Sequence, residues 1–194
     1  QDAGRGGSLY HVGIIGFATM CHSGWALGVG RRMLDELAAM VESKAGRPGA
    51  QSDSDSFLES FAQAEASMRA ARPFVYEQWQ GATDVLARDE YLSTRQHTLV
   101  RLALANVTKA LGEGGNFVYL KGGTTALRRG TLQRLMRDVH AGTQHVTSSP
   151  MVWQNCGREL SGVAAGKHWI EKKQPGKTLA MARRELIQVL LNLV

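Results

Sequence analysis

The sequence has little of what staples a chain or carries it across a membrane. It has two cysteines, Cys21 and Cys156, too far apart to match a zinc or redox spacing. A disulfide framework is excluded, no metal site is expected, and a reducing cytoplasm is the expected setting. No apolar run reaches the roughly 18–20 residues that cross a bilayer. The opening segment 1–8 is small and polar, unlike a secretory leader. Aromatic residues make up only 7% of the chain. None interleaves with the basic pairs Arg31-Arg32, Arg128-Arg129, Lys172-Lys173 and Arg183-Arg184 as a base-stacking platform requires. The net charge of +6 is therefore read as a solvated helical surface, with neither nucleic acid nor membrane as partner. No segment alternates apolar and polar residues as a half-buried strand does.

What is present is helical periodicity. At 194 residues and 43% hydrophobic content, the chain can bury one substantial core. Leu27, Leu34, Leu37 and Val41 recur at helical spacing, so one long helix is predicted from Leu9 to about Ser43. Gly13, Gly16, Gly24 and Gly28 interrupt it, each at a cost of about 1 kcal/mol relative to alanine. That cost is tolerable where small residues let another helix approach closely. Lys44 to Asp55 reads as a linker containing Gly46, Pro48 and Gly49. Ser56 and Glu59 have capping-box spacing, opening a helix through Phe57, Phe61, Ala64, Met68 and Ala71. A kink is expected at Pro73, with the helix resuming through Phe74, Trp79 and Val85.

A third helix is predicted from Asp89 to Leu111, ended by Gly112, Gly114 and Gly115. Phe117 to Tyr119 suits either helix or strand. Thr131 to Val146 reads as helix, and Ser149 with Pro150 opens another to about Leu160. After Gly176, a last amphipathic helix presents Leu179, Ala182, Leu186, Leu190 and Val194. The expected fold is all-α: an antiparallel four-helix-type bundle of long helices with an extra C-terminal helix, spanning 9–194 after a linker at 1–8.

The segment TLQRLMRDVHAGTQHVTSSP, residues 131–150, gathers the chemistry. Arg134 and Asp138 stand at i, i+4, where an exposed ion pair contributes about 0.3–0.5 kcal/mol. If the helix continues, His145 lies on the same face as Asp138, seven residues on, and His140 on another. An imidazole suits general base work near neutrality. The plainer alternative is a histidine capping carbonyls at a helix end.

The stretch GGTTALRRGTLQRLMRDVHAGTQH resembles the C-terminal helical domain of the acyl-CoA dehydrogenase fold, in its flavin-dependent monooxygenase branch. The residues that carry the resemblance are Gly122-Gly123, Leu132-Gln133-Arg134, Arg137-Asp138 and His145. Leu9 to Leu37 and Ala62 to Arg72 are compatible with that domain's first two helices. The resemblance covers about 9–162. It implies a bundle that assembles dimers or tetramers and completes a flavin site, FMN or FAD, which this chain binds incompletely. It implies His145 as the catalytic residue, acting on a substrate hydroxyl or helping to manage the peroxide proton. Gly122, Gly123, Arg134, Arg137 and Asp138 become candidate cofactor-binding residues, with helix junction and helix-fixing roles as the alternatives. Reduced flavin would come from a separate reductase, and with O2 would hydroxylate an aromatic or related small molecule. Acyl-CoA dehydrogenases of the common type place a catalytic Glu just after the Arg-Asp helix. Here the chain reads His145-Val146-Thr147-Ser148, which argues for the monooxygenase branch. An acyl-CoA dehydrogenase C-terminal domain and a non-catalytic assembly domain stand as alternatives. Trp25, Trp79 and Trp153 are expected in core or interface, and Cys156 as a buried thiol.

Overall fold

The computed structural model describes residues 7–163, and the predicted helix at 179–194 lies outside them. A 3-10 turn, Gly7–Val12, leads into α1, Gly13–Glu42. Gly13 makes the junction at φ 73°, a left-handed conformation that favours glycine. The buried stripe of α1 runs through Gly16, Thr19, Ser23, Ala26, Gly30, Met33, Leu34 and Leu37. Thr19 and Ser23 donate their hydroxyls to the carbonyls of Ile15 and Thr19, both at 2.8 Å, so the buried polar atoms are satisfied within the helix. The expected close approach occurs at Gly30, where a β-carbon would sit 2.9 Å from Met68 Sδ and 3.5 Å from Leu111 Cδ1. Gly24 and Gly28 face outward.

The second helix, α2, spans Asp55–Leu86. It begins slightly earlier than predicted. Ser54, not Ser56, is the N-cap and accepts from the Phe57 N–H at 3.4 Å. Pro73 lies inside this one helix.

The third helix, α3, spans Thr94–Gly122. Its start is set by a capping box of Ser93 and Gln96. Gly112, Gly114 and Gly115 do not end it, and Phe117 to Tyr119 is helical. Packing outweighs propensity here: Gly115 is buried, and a β-carbon on it would lie 3.5 Å from both Met33 Sδ and Val139 Cγ1.

A single turn, α4 (Thr124–Leu127), precedes α5 (Thr131–Gly142) and α6 (Pro150–Leu160). The packing partners fix the topology. Gly30 meets Leu111 and Met33 meets Gly115, so α1 and α3 run parallel. Phe57 packs near Phe117 at 6.0 Å between centroids, and Met68 near Gly30, so α2 runs antiparallel to both. Along α3, Gly122 meets Leu132 and Gly115 meets Val139. Further back, Cys156 Sγ donates to the Thr98 carbonyl at 3.5 Å. The fourth position of an up-down-up-down bundle is thus shared by α5 and α6, as the antiparallel four-helix reading expected.

The core is fully buried at Met33, Leu34, Leu37, Leu104, Val107, Leu111, Val118 and Val139, each such side chain contributing about 1.5–3 kcal/mol. Tyr10–Glu42 is, by length and composition, apolar enough to cross a membrane, although no uninterrupted apolar run stood out in the sequence. Core helices of bundles meet the same criterion, and the buried stripe of α1 packs on α2 and α3. The described residues contain no strand.

Candidate functional site

The fourth helix breaks where the histidine stands. The predicted helix 131–146 ends at Gly142, where a β-carbon would collide with the ring of Trp25 on α1, so that glycine is required at this contact. A turn and a short 3-10 segment, Val146–Ser148, follow before Ser149 caps α6. His145 lies in this interruption with an extended backbone, φ −68° and ψ 140°. It is not on a helical face shared with Asp138, which corrects the sequence expectation. Helical spacing ceases to define faces once the helix has ended.

His145 is held from two directions. The Thr147 backbone N–H donates to its Nδ1 at 3.3 Å, and Thr147 Oγ1 lies 2.7 Å from the same nitrogen. An amide N–H can only donate, so this contact makes Nδ1 an acceptor. In the neutral ring the proton is then on Nε2. From α1, the ring of His22 stacks on His145 at 4.0 Å between centroids, with 27° between the planes. Trp25 meets His22 edge-on at 6.0 Å.

The pKa of His22 is lowered first by burial and then by the charge on His145. Two unit charges 4 Å apart repel by about 1 kcal/mol in water and about 4 kcal/mol at an effective dielectric of 20. A charge on His145 therefore opposes protonation of His22.

The other predicted site residues lie elsewhere on the fourth helix and at the bundle's end. Arg134, Arg137 and Asp138 are exposed on α5. Among the described residues the anticipated Arg134–Asp138 ion pair is not formed, which leaves both guanidinium groups available to an anion. Arg137 and His140 line a cavity of about 440 Å³ with Tyr119, Gln133 and Met136. Gly122 and Gly123 end α3. Gly122 is buried, and a β-carbon on it would lie 3.1 Å from Ala126 and 3.4 Å from Leu132. Its smallness serves the α3–α4–α5 junction. Gly123, at φ 53°, opens on a cavity of about 350 Å³ lined also by Lys44, Arg47, Gln51 and Lys121. From Leu132, beside Gly122, to Gly142 is about 15 Å of helix, so the glycine pair and His145 are not brought together.

A third cavity, of about 250 Å³, adjoins the His145 turn. Thr108, Asn116, His140, Thr143, Ser148 and Trp153 line it. Cys156 is buried, and burial pushes its thiol up to about 11, as a structural cysteine should behave. Trp25 and Trp79 are half-buried, while Trp153 is exposed. Sequence reasoning missed His22. No motif surrounds it, and only the packing of α1 against the α5–α6 break gives it a partner. Chemically, the His145 turn offers a hydrogen-bond donor at Nε2 and an aromatic wall from α1, while the guanidinium groups of Arg134 and Arg137 stand elsewhere on the exposed face of α5.

The chain is 28% identical over 151 residues to indole-3-acetate monooxygenase of Pseudomonas putida, covering 76% of this chain and 39% of that protein. Its fold matches 3-HSA hydroxylase from Rhodococcus sp. RHA1 with a TM-score of 0.66 and 22% identity, covering 74% of this chain and 38% of that one. It matches the HsaA monooxygenase from M. tuberculosis with a TM-score of 0.67 and 19% identity, covering 82% and 42%. It also matches XiaF from Streptomyces sp., solved in complex with FADH2 and glycerol, with a TM-score of 0.65 and 18% identity, covering 77% and 39%. The chain thus spans about two fifths of the length of each of these relatives. The family model for the acyl-CoA dehydrogenase C-terminal domain matches residues 20–150, and the chain belongs to that family.

Proposed function

We propose that this chain is the C-terminal oligomerisation and active-site-completing domain of a flavin-dependent monooxygenase, which hydroxylates an aromatic or related small molecule with reduced flavin and O2. The relatives named as monooxygenases and hydroxylases support this reading. The single structural observation that carries it is His145, held in a helix break with Nδ1 engaged by Thr147 and Nε2–H left to donate. Bound reduced flavin, FMN or FAD, supplies the electrons that activate O2. His145 orients a substrate hydroxyl or a reacting oxygen by a hydrogen bond from Nε2–H. Its tautomer suits donation, not the general-base role that spacing first suggested. Arg134 and Arg137, exposed and without ion pairs among the described residues, fit the phosphate of the flavin. Trp25 and the His22–His145 stack shield one side of the site from water. Gly123, Lys44 and Lys121 belong to the far end of the bundle, where Gly122 and Gly123 serve a helix junction; Asp138, on the exposed face of α5, supplies surface charge. The whole enzyme is a cytoplasmic dimer or tetramer served by a flavin reductase, and this chain alone binds flavin incompletely.

An acyl-CoA dehydrogenase reading is weaker, because no carboxylate follows α5 through Ser149 to remove an α-proton. The test is His145→Ala in the enzyme that carries this chain. The expected result is loss of hydroxylation with peroxide still released. Unchanged hydroxylation would remove His145 from the mechanism. A flavin titration of the chain by fluorescence separates a catalytic from an assembly role. Binding near micromolar, about −8 kcal/mol, supports a flavin site in the bundle itself, and no binding up to millimolar flavin makes the chain an assembly domain.

A further inference from the structure

We infer that His22 is a second histidine of the site: a positioning residue that fixes the ring plane of His145 and is electrostatically coupled to it. The inference rests on the reading above that His145 serves the oxygen chemistry. Three observations carry it. The rings stack at 4.0 Å between centroids, 27° between planes, closer than the roughly 4.5–7 Å usual for aromatic pairs. They come from elements remote in sequence, α1 and the α5–α6 break, so the contact exists only in the folded bundle. Thr147 holds one edge of His145 and His22 covers a face, which together leave the ring little freedom to turn.

The surroundings leave the two rings to each other. Cys21, beside His22 on α1, is exposed. On α3, Lys109 pairs with Glu113 at 3.3 Å. Asp138 and His140 on α5 are exposed. Among the described residues, none of these groups bonds to either ring and no carboxylate is paired with either imidazole. A proton on His145 therefore raises the cost of protonating His22. The neutral partner keeps its stack, and His145 keeps the tautomer that Thr147 selects.

The test has two arms. In this chain, histidine titration is followed by NMR for wild type and His145→Phe. Phenylalanine keeps a ring in the stack and removes the charge. The expected result is that the His22 midpoint moves up towards the ordinary histidine value, yet stays below it because burial remains. An unmoved midpoint overturns the inference. In the complete enzyme, His22→Ala is expected to lower kcat about tenfold through misplacement of His145, with KM unchanged. His22→Phe restores the rate but shifts the acid limb of the pH profile, a change that lost packing alone would not produce. His22→Gln, which preserves a polar half-buried side chain, serves if either variant folds poorly. Equal pH profiles in wild type and His22→Phe overturn the inference. A coupled His22 titration in a protein without hydroxylase activity would refute the functional reading and, with it, the catalytic meaning given to His22. An uncoupled titration in an active hydroxylase would refute the inference about His22 alone.

Discussion

The indole ring of Trp25, on α1, fills the space that a β-carbon on Gly142 would need at the end of α5. That contact lies at the last residue of α5, just before the turn carrying His145. Gly142→Ala is therefore expected to destabilise the fold by about 1–3 kcal/mol, the range for overpacking a close contact. Alanine's better helix propensity would otherwise stabilise the chain by up to about 1 kcal/mol. Urea unfolding of the two proteins reads the balance. A midpoint that rises in the variant would mean that Trp25 moves aside at little cost.

The two cysteines should differ sharply in reactivity. Cys21 is exposed and Cys156 is buried, with Cys156 Sγ on the Thr98 carbonyl and its thiol pushed up to about 11 by burial. A chromogenic thiol reagent at about pH 8 is expected to titrate Cys21 at once and Cys156 only after denaturant is added. Rapid reaction of both in the native protein would show that α6 opens readily from α3.

Glu65 on α2 ties α1 to α2. It accepts from Arg31 at 2.8 and 2.6 Å and from Arg69 at 2.9 Å, and Arg31 also reaches Asp35 at 2.8 Å. The hydrogen bonds from Arg31 are the chief cause that lowers the Glu65 pKa. The contribution to stability is then present above the unfolded carboxylate value of about 4.3, and it is lost as pH falls through the lower folded value. Glu65→Gln is expected to cost about 1 kcal/mol at neutral pH, a gap that closes as the pH is lowered from about 5 towards 3. Denaturation midpoints at several pH values measure this. A gap independent of pH would assign the loss to packing and not to charge.

Much of the bundle was legible in the sequence, but its boundaries were less so. Apolar residues at helical spacing located α1 and α2 to within a few residues, because that spacing is what buries one face of a helix, and Ser149 with Pro150 located α6. The glycines at 112, 114 and 115 misled. They read as a helix end, yet Met33 and Val139 close on Gly115 from two sides, and α3 continues to Gly122. The opposite error occurred at 143–146, where nothing in the local spacing forbade helix, yet α5 ends at Gly142 and a 3-10 segment follows. Ser93 with Gln96 was a readable capping box that the sequence reading passed over in favour of a start at Asp89.

By itself, the sequence determined the helical class, the up-and-down arrangement, the burial of Cys156 and the likeness of residues 122–145 to a known domain. These depend on periodicity, composition and motif, which are local properties. The tertiary structure alone decided that His145 leaves the helix, that its neighbour is His22, and that Gly122-Gly123 lie at the other end of α5. Each of these depends on contacts between residues far apart in the chain. A local pattern records which face of an element is buried; it does not record what packs against that face.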